Sequence, residues 1–280
     1  MKILFLECIH GKYNELKYSS CVAHRIAQEL KQEGHQVIEV VKPTPEVANM
    51  AIKKYRPDIV WWVGHGNQHI ATLENVSLWI DAPDYNTGIL RGTKACAMAC
   101  LTGVYLGMYE VKKAGCLAYL GYRDYVYFPW CGKNYDCACT GENPYGVNKD
   151  LWLDMVECVP ESNLYFVKGL AKGLDPKKAA DYSVERFKYW LDYFEKYKAT
   201  DRVTLALLHL ICWIIVHDIK ATVIYYIKSG TAPSKPVHQK PSSKVNVKVL
   251  AEAFLGFMAI LALIGGIHAY ENRPAQELRR

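Results

Sequence analysis

The amino-acid sequence predicts an α/β protein with a mostly parallel sheet in a three-layer sandwich, followed by a single C-terminal transmembrane helix. Short apolar runs bounded by turn residues are typical of strands buried on both faces. Over residues 1–120 these runs alternate with segments of helical periodicity, which indicates βαβ units. The third observation is an apolar stretch at 249–270, about the ~20 residues needed to cross a bilayer.

The predicted elements follow one another along this first part of the chain. In the first helix, Val22, Ile26 and Leu30 recur at helical spacing, and Gly34 is placed to end it. Two polar inserts rich in turn residues, 67–93 and 122–150, interrupt the pattern and are expected to be functional loops. The predicted strands are 2–8, 36–41, 59–63, 94–100 and 116–121, and the helices between them are 18–33, 46–55 and 101–113.

Two more helices are predicted beyond the inserts. Asp175 and Pro176 provide an N-cap acid and a first-turn proline, and an apolar stripe follows them. The next helix begins near Val203 and is expected to be buried, because its apolar core at 203–216 is shorter than a membrane span. Polar residues at 217–220 are expected to break it.

The composition divides the chain into four parts. Residues 1–229 are predicted to form the α/β domain, 230–248 a polar linker with three prolines, 249–270 the transmembrane helix and 271–280 a short tail. The apolar segment lies alone behind the linker and is apolar all round, which favours a membrane span over a buried helix. Because no signal-peptide core follows Met1, we expect a single-pass, tail-anchored protein with a cytoplasmic N-terminal domain.

Charge and cysteine usage exclude some classes of function. The 51% hydrophobic and 22% charged content is that of a globular protein. The net charge of +6 is spread along the chain, so no nucleic-acid partner is expected. Ten cysteines without a secretory signal argue against a disulfide framework, and most are expected to be small buried side chains.

Two of the predicted strands end at a reactive side chain. The third apolar run is followed by Gly64-His65-Gly66, and the fourth ends at Ala99-Cys100. In open parallel sheets, ligands and chemistry gather at the carboxyl ends of the strands. If the two strands are neighbours, a thiol nucleophile lies beside a histidine base.

These motifs, in this order, resemble those of the caspase-like (clan CD) cysteine peptidases, nearest to gingipain-type and bacterial caspase-like domains. The resemblance covers roughly residues 1–230 and implies a caspase-like sheet. His65 and Cys100 stand 35 residues apart. The segments that carry the resemblance are Gly64-His65-Gly66, Met98-Ala99-Cys100-Leu101-Thr102-Gly103, the strand at 115–122 and the helix–turn–helix from Lys168-Gly169 to Ala180.

The resemblance implies a membrane-anchored thiol endopeptidase with a His-Cys dyad, no cofactor and a protein or peptide substrate. Cys100 is then the nucleophile that attacks a peptide carbonyl, and His65 protonates the leaving amine and helps to activate water. The backbone N–H of Gly66, with that of Cys100, binds the oxyanion. Glu7 and Asp124 are candidates for a negatively charged floor of the substrate pocket. Neither lies in a matched motif, so ordinary polar roles stay open for both.

Other cysteines are weaker candidates. Cys96 lies on the same strand face as Cys100 by the two-residue period and is expected in the core. Met98 stands where metacaspases sometimes have an acid, which argues against that branch. The spacing of Cys131, Cys137 and Cys139 matches no common zinc site, so no metal is expected.

Two alternative functions stay open at this stage. One is a catalytically inactive caspase-like interaction module tethered to a membrane, because two retained residues do not ensure an open cleft. The other is a nucleotide- or sugar-binding α/β enzyme. The segment after the first strand, Ile9-His10-Gly11-Lys12, has a single glycine and fits no phosphate-binding loop.

Overall fold

The computed structural model describes residues 1–9, 16–129, 140–143, 145–227 and 237–238. A short 3-10 helix at Glu74–Val76 and a π-helix at Glu110–Ala114 accompany the main elements. The strands are β1 Lys2–Glu7, β2 Gln36–Val41, β3 Ile59–Val63, β4 Ile70–Thr72, β5 Leu78–Asp81, β6 Lys94–Met98, β7 Ala118–Tyr122, β8 Thr222–Tyr226 and β9 Val237–His238. The helices are α1 Lys17–Gln32, α2 Pro45–Tyr55, α3 Leu106–Tyr109, α4 Lys149–Ala171, α5 Pro176–Lys196 and α6 Arg202–Ala221.

The main sheet is mostly parallel, which confirms the predicted α/β class. Its strand order is β2-β1-β3-β6-β7-β8-β9, and the first five strands pair in parallel. Strand β8 pairs antiparallel with β7, and the two-residue β9 pairs antiparallel with β8. The five parallel strands are β1, β2, β3, β6 and β7, so their carboxyl ends meet at one edge.

Helices cover both faces of the sheet. On β3 the indole N–H of Trp61 donates to Asn163 of α4 at 2.7 Å. The next residue, Trp62, packs edge-on against Trp79 on the opposite face, with ring centroids 5.2 Å apart. Trp79 in turn donates its indole N–H to Asn49 of α2 at 3.0 Å. Successive residues of a buried strand therefore face two different helical layers.

The chain after β6 differs from the prediction. The strand ends at Met98 instead of residue 100, and the expected helix at 101–113 begins only at Leu106 and continues as a π-helix. Leu101 takes a left-handed conformation with φ of 59°, and the Thr102 hydroxyl donates to the carbonyl of Ala99 at 3.0 Å. This tight turn replaces the first helical turn and places Cys100 beyond the regular strand.

Several elements were not predicted, among them the β4–β5 hairpin, the first part of α4 and strand β8. The first insert holds the β4–β5 hairpin, whose strands of three and four residues are too short for a clear pattern. Helix α4 runs for 23 residues through Pro160, which interrupts one backbone hydrogen bond. The buried face of α4 packs against α1, α5 and the sheet, and this tertiary packing outweighs the local cost. Strand β8 follows α6 without a loop.

Helix α6 was predicted to break at 217–220, but it continues to Ala221, with Asp218 fully buried. Asp175 caps α5 as expected and accepts the N–H of Lys178 at 3.0 Å. Within the part of the chain that the structure describes, α6 is the one helix long and apolar enough to cross a membrane. Its apolar window has a mean hydropathy of 1.7, and 56% of that window is buried inside the protein.

The other membrane predictions fall elsewhere in the chain. Nearly all of the linker at 230–248, the whole transmembrane segment at 249–270 and the tail at 271–280 lie outside the described residues.

The described cysteines mostly follow the prediction. Cys8, Cys96, Cys116, Cys158 and Cys212 are buried free thiols, and Cys100 is a half-buried free thiol. Cys21 is the exception, because it is disulfide-bonded.

Candidate functional site

The two motif strands are neighbours in the sheet. Strands β3 and β6 pair in parallel with Val63 opposite Met98, and the N–H of Gly64 extends the ladder to the carbonyl of Met98 at 3.3 Å. His65 and Cys100 each come two residues after this last pair. The structure therefore brings the backbones of the predicted dyad to the same level at the carboxyl edge of the sheet.

Gly66 lies against the backbone of Cys100. A Cβ atom on this glycine would lie 3.0 Å from the carbonyl oxygens of Cys100 and Ile70 and 2.5 Å from Cγ2 of Thr102. The contact with Thr102 is shorter than real Cβ atoms show and the two carbonyl contacts are tight, so a larger residue here would force Thr102 to shift. The close approach joins the histidine motif to the cysteine motif through packing.

The histidine segment is fixed by a hairpin. The His65 carbonyl accepts both the backbone N–H and the hydroxyl of Thr72, each at 3.0 Å. Asn67 donates its N–H to the carbonyl of Ile70 at 3.0 Å, so Gly66 sits between two hydrogen-bonded positions. The backbone groups of such an intervening residue point away from the partner strand.

Two backbone N–H groups, those of Gly66 and Cys100, lie just beyond the ends of β3 and β6. Within the described residues, neither the N–H of Gly66 nor that of Cys100 donates to another backbone carbonyl. Paired N–H groups near a nucleophile can bind the negative oxygen that forms during acyl transfer. Both donors predicted from the sequence are thus present and unoccupied by the backbone.

The thiol of Cys100 is half-buried and is contacted by the chain that follows β7. The backbone N–H of Val126 donates to its sulfur at 3.4 Å. Burial is the main cause that raises the pKa of this thiol, and the Val126 N–H opposes the rise. A thiol with a raised pKa needs a neighbouring base to become a nucleophile.

A buried carboxylate that the sequence reasoning did not select lies close to this thiol. Asp218 of α6 is fully buried, and its charge adds to the rise in the Cys100 pKa. One of its oxygens accepts the backbone N–H of Tyr127 at 3.4 Å. In the sequence, the indication of this group was an acidic residue, Asp218, at the end of a helix that was predicted to be buried.

The two candidates for the substrate pocket lie in different places. The carbonyl of Asp124 accepts the N–H of Leu101 at 3.0 Å, so Asp124 lies beside the turn that follows Cys100. Its side chain is exposed and accepts the N–H of Tyr125 at 2.8 Å. Asp124 is therefore adjacent to the candidate nucleophile.

Glu7 is buried and lines a cavity at another part of the surface. It helps to line a cavity of about 430 Å³ whose other lining residues come from α1 and β2, and Cys100 is not among them. The Ser20 hydroxyl donates to one Glu7 oxygen at 2.5 Å. Burial raises the pKa of Glu7 to about 7. The residues that line the cavity with Glu7 are Ser20, Cys21, His24, Glu39 and Val41.

The rival nucleophile is part of the core. Cys96 is fully buried, and its thiol contacts the side-chain oxygen of Asn163 at 3.3 Å. Burial raises its pKa well above the ordinary value for a thiol. Within the described ranges, no group of three or more His, Cys, Asp or Glu side chains is arranged to hold a metal ion. Cys131, Cys137 and Cys139 lie outside those ranges.

Comparison with known proteins finds no family model and no curated protein that matches this chain.

Proposed function

We propose that this chain is a caspase-like cysteine endopeptidase that uses Cys100 and His65 to hydrolyse peptide bonds. The observation that carries the proposal is the register of β3 and β6: His65 and Cys100 each follow two residues after the last paired position, and Gly66 packs against the backbone of Cys100. Within the described residues, the N–H groups of Gly66 and Cys100 donate to no backbone carbonyl, which adds support. The resemblance of the two motifs supplies the reaction type.

The proposed reaction has two halves. In the first, His65 takes the proton of the Cys100 thiol, and the sulfur attacks the peptide carbonyl carbon. The N–H groups of Gly66 and Cys100 hold the resulting oxyanion. As the C–N bond breaks, His65 returns the proton to the leaving amine, and a thioester remains on the sulfur.

In the second half, His65 takes a proton from water, and the oxygen of that water attacks the thioester carbonyl. The C–S bond breaks, the peptide leaves as a carboxylic acid, and the sulfur regains its proton. Because burial raises the pKa of Cys100, the thiol is protonated at neutral pH without such a base.

We also propose that the segment at 249–270 anchors the protein in a membrane as a single span, with the peptidase domain on the cytoplasmic side. The support is its length and its almost wholly apolar composition, in which Glu252 and His268 are the exceptions. Helix α6 is also apolar enough, but it packs against α5 and leads directly into β8 of the sheet. The substrate is a protein or peptide.

One observation favours the second candidate, an inactive caspase-like interaction module. The Cys100 sulfur is partly covered by Val126, and its pKa is raised. A thiol in that state is less reactive than an ordinary exposed one. The peptidase and the interaction module therefore differ in whether a substrate can displace Val126 from the Cys100 sulfur.

A peptide-hydrolysis assay tests the proposal. The full 280-residue chain in detergent is incubated with a mixed peptide library, and the products are identified by mass spectrometry. Cys100→Ala is expected to abolish cleavage, whereas Cys96→Ala is the matched control and is expected to retain it. Equal cleavage by Cys100→Ala and the unmodified chain would reject the peptidase.

A further inference from the structure

The segment at 124–127, here named the strap, connects the candidate nucleophile to the last turns of α6. At one side the N–H of Val126 donates to the Cys100 sulfur at 3.4 Å, and the N–H of Leu101 donates to the Asp124 carbonyl at 3.0 Å. At the other side the N–H of Tyr127 donates to Asp218 at 3.4 Å. Adjacent strap residues thus contact the thiol and the buried carboxylate.

Contacts at the surface hold the same segment. The His217 ring nitrogen Nε2 lies 3.0 Å from the Tyr125 carbonyl oxygen. The ring of Tyr127 packs edge-on against His217, with centroids 4.8 Å apart, and lies 5.3 Å from the ring of Trp213. His217 and Trp213 both belong to α6, so this helix holds the strap through surface contacts as well as through buried Asp218.

The Asp218 carboxylate could accept a further hydrogen bond. It is fully buried, and its second oxygen, Oδ2, has no hydrogen-bond partner within the described residues. An unpaired buried carboxylate oxygen costs stability, and such groups in native structures often have a functional reason. The partner that it does have is the strap, which in turn contacts the thiol.

The titratable groups around Asp218 come from the turn after β6, from β7, from the strap and from α4. They are Cys100 after β6, Tyr122 on β7, Asp124 and Tyr127 on the strap, and Cys158 on α4. All of them become negative when they lose a proton, so each opposes ionisation of the others. Burial raises the pKa of Asp218 well above its ordinary value, and Asp124 adds to that rise.

We propose that Asp218 is the positioning residue of Cys100: by accepting the Tyr127 N–H it holds the strap so that the Val126 N–H stays on the Cys100 sulfur. The inference rests on the proposed function in taking Cys100 as the reactive group. Asp218 acts on the thiol in two opposite ways. As a hydrogen-bond acceptor it favours the thiolate through the strap, and as a charge it disfavours the thiolate.

Two substitutions separate these effects. Asp218→Asn keeps an acceptor for the Tyr127 N–H and removes the charge. Asp218→Leu removes both. Glu110→Gln is the matched control, because Glu110 is also fully buried and neither of its oxygens makes a full hydrogen bond within the described residues. Glu110 belongs to the π-helix whose last residue, Ala114, lies just ahead of β7.

The measurement is the rate of iodoacetamide alkylation at Cys100 across the pH range in which thiols titrate, with the adduct located by peptide mapping. The full chain in detergent is used. In Asp218→Asn the pH midpoint is expected to fall by about half a unit or more, because the opposing charge is gone. In Asp218→Leu the midpoint is expected above that of Asp218→Asn, because the Val126 donor is lost. Glu110→Gln is expected to match the unmodified chain.

Identical midpoints for Asp218→Asn and Asp218→Leu would overturn the inference, because loss of the strap contact would then have no effect on Cys100. Circular dichroism checks that the variants are folded. If both variants at Asp218 fail to fold, His217→Ala replaces them. That change removes the contact with the Tyr125 carbonyl at a partly exposed position, and it is expected to raise the midpoint. An unchanged midpoint in His217→Ala would reject the role of the strap.

The alkylation readout does not depend on peptide hydrolysis. A higher midpoint in Asp218→Leu than in Asp218→Asn together with no peptide cleavage would support the inference and reject the proposed peptidase. Active cleavage with identical midpoints in these two variants would do the reverse.

Discussion

The backbone N–H of Val126 donates to the sulfur of Cys100 over 3.4 Å, across 26 positions of the chain. This bond joins the segment after β7 to the end of β6 and partly covers the thiol. The environment of the candidate nucleophile is therefore set by the loop beside it as well as by the strand that carries it.

Cys100 is expected to be the first of the six described free thiols to react with iodoacetamide. It is half-buried, whereas Cys8, Cys96, Cys116 and Cys158 are fully buried; burial raises the pKa of all five thiols, so access to the sulfur sets the order. Alkylation requires the thiolate and access to it. Timed labelling at neutral pH with peptide mapping measures the order. Earlier labelling of Cys96 or Cys116 would contradict the burial described here.

Gly66→Ala is expected to slow labelling of Cys100 by a peptidyl acyloxymethyl ketone on the order of 10²-fold, since small displacements in a site have effects of this size. The added Cβ would press on the Cys100 carbonyl and on Thr102. The control is Gly34→Ala, where a Cβ meets nothing within 4 Å but φ is +86°. That variant is expected to lose about 1 kcal/mol of stability with an unchanged labelling rate. Equal labelling rates for the two variants would contradict the packing at Gly66.

Glu110 is expected to make the protein less stable as pH rises. Burial raises its pKa from the ordinary value of 4.5 to about 7, and the nearby Gly88 N–H and Arg91 oppose this only in part. The pKa of Glu110 in the folded protein lies above its value in the unfolded chain. The contribution of Glu110 to stability is therefore fully present below pH 4.5 and is lost as the pH rises to about 7. The full loss is about 3 kcal/mol.

Urea unfolding at both ends of that pH window measures this effect. Glu110→Gln is expected to lose less stability with rising pH than the unmodified chain. The exposed Glu185→Gln is the control and is expected to behave like the unmodified chain. The same pH dependence in Glu110→Gln and the unmodified chain would show that Glu110 ionises without penalty.

The proposed membrane anchor is tested by a matched pair of chains, the full sequence and a chain that ends at residue 229. Both contain α6, but only the first contains the segment at 249–270. The full chain is expected to stay with membranes after carbonate extraction, and the shorter one is expected to be released. Retention of the shorter chain would assign membrane attachment to the first 229 residues.

Strands and caps with strong local signals could be predicted from the sequence. The bounds of β2 and β3 were predicted correctly, because each is a short apolar run between turn residues. The N-cap at Asp175 was also correct. Helix α4 was expected only at its C-terminal end, from the resemblance at Lys168-Gly169; its first part runs through Pro160, and packing of the buried face outweighs the local cost of that proline.

At the site, the sequence predicted that His65 and Cys100 meet at one edge, because both follow buried parallel strands. It did not predict Val126 or Asp218. Both act through contacts between segments far apart in the chain, and neither belongs to a periodic pattern or a motif. The helix break expected at 217–220 was wrong because Asp218 is enclosed by α6, the strap and the sheet.

The most direct test of the central claim is labelling of the full chain with a panel of peptidyl acyloxymethyl ketones that carry Arg, Lys, Asp or Asn at the first position. The adduct is located by peptide mapping in the unmodified chain and in His65→Ala. The account predicts one adduct, on Cys100, that depends on the peptide and disappears in His65→Ala. No adduct, or indiscriminate labelling of several cysteines, would contradict the peptidase and favour the inactive interaction module.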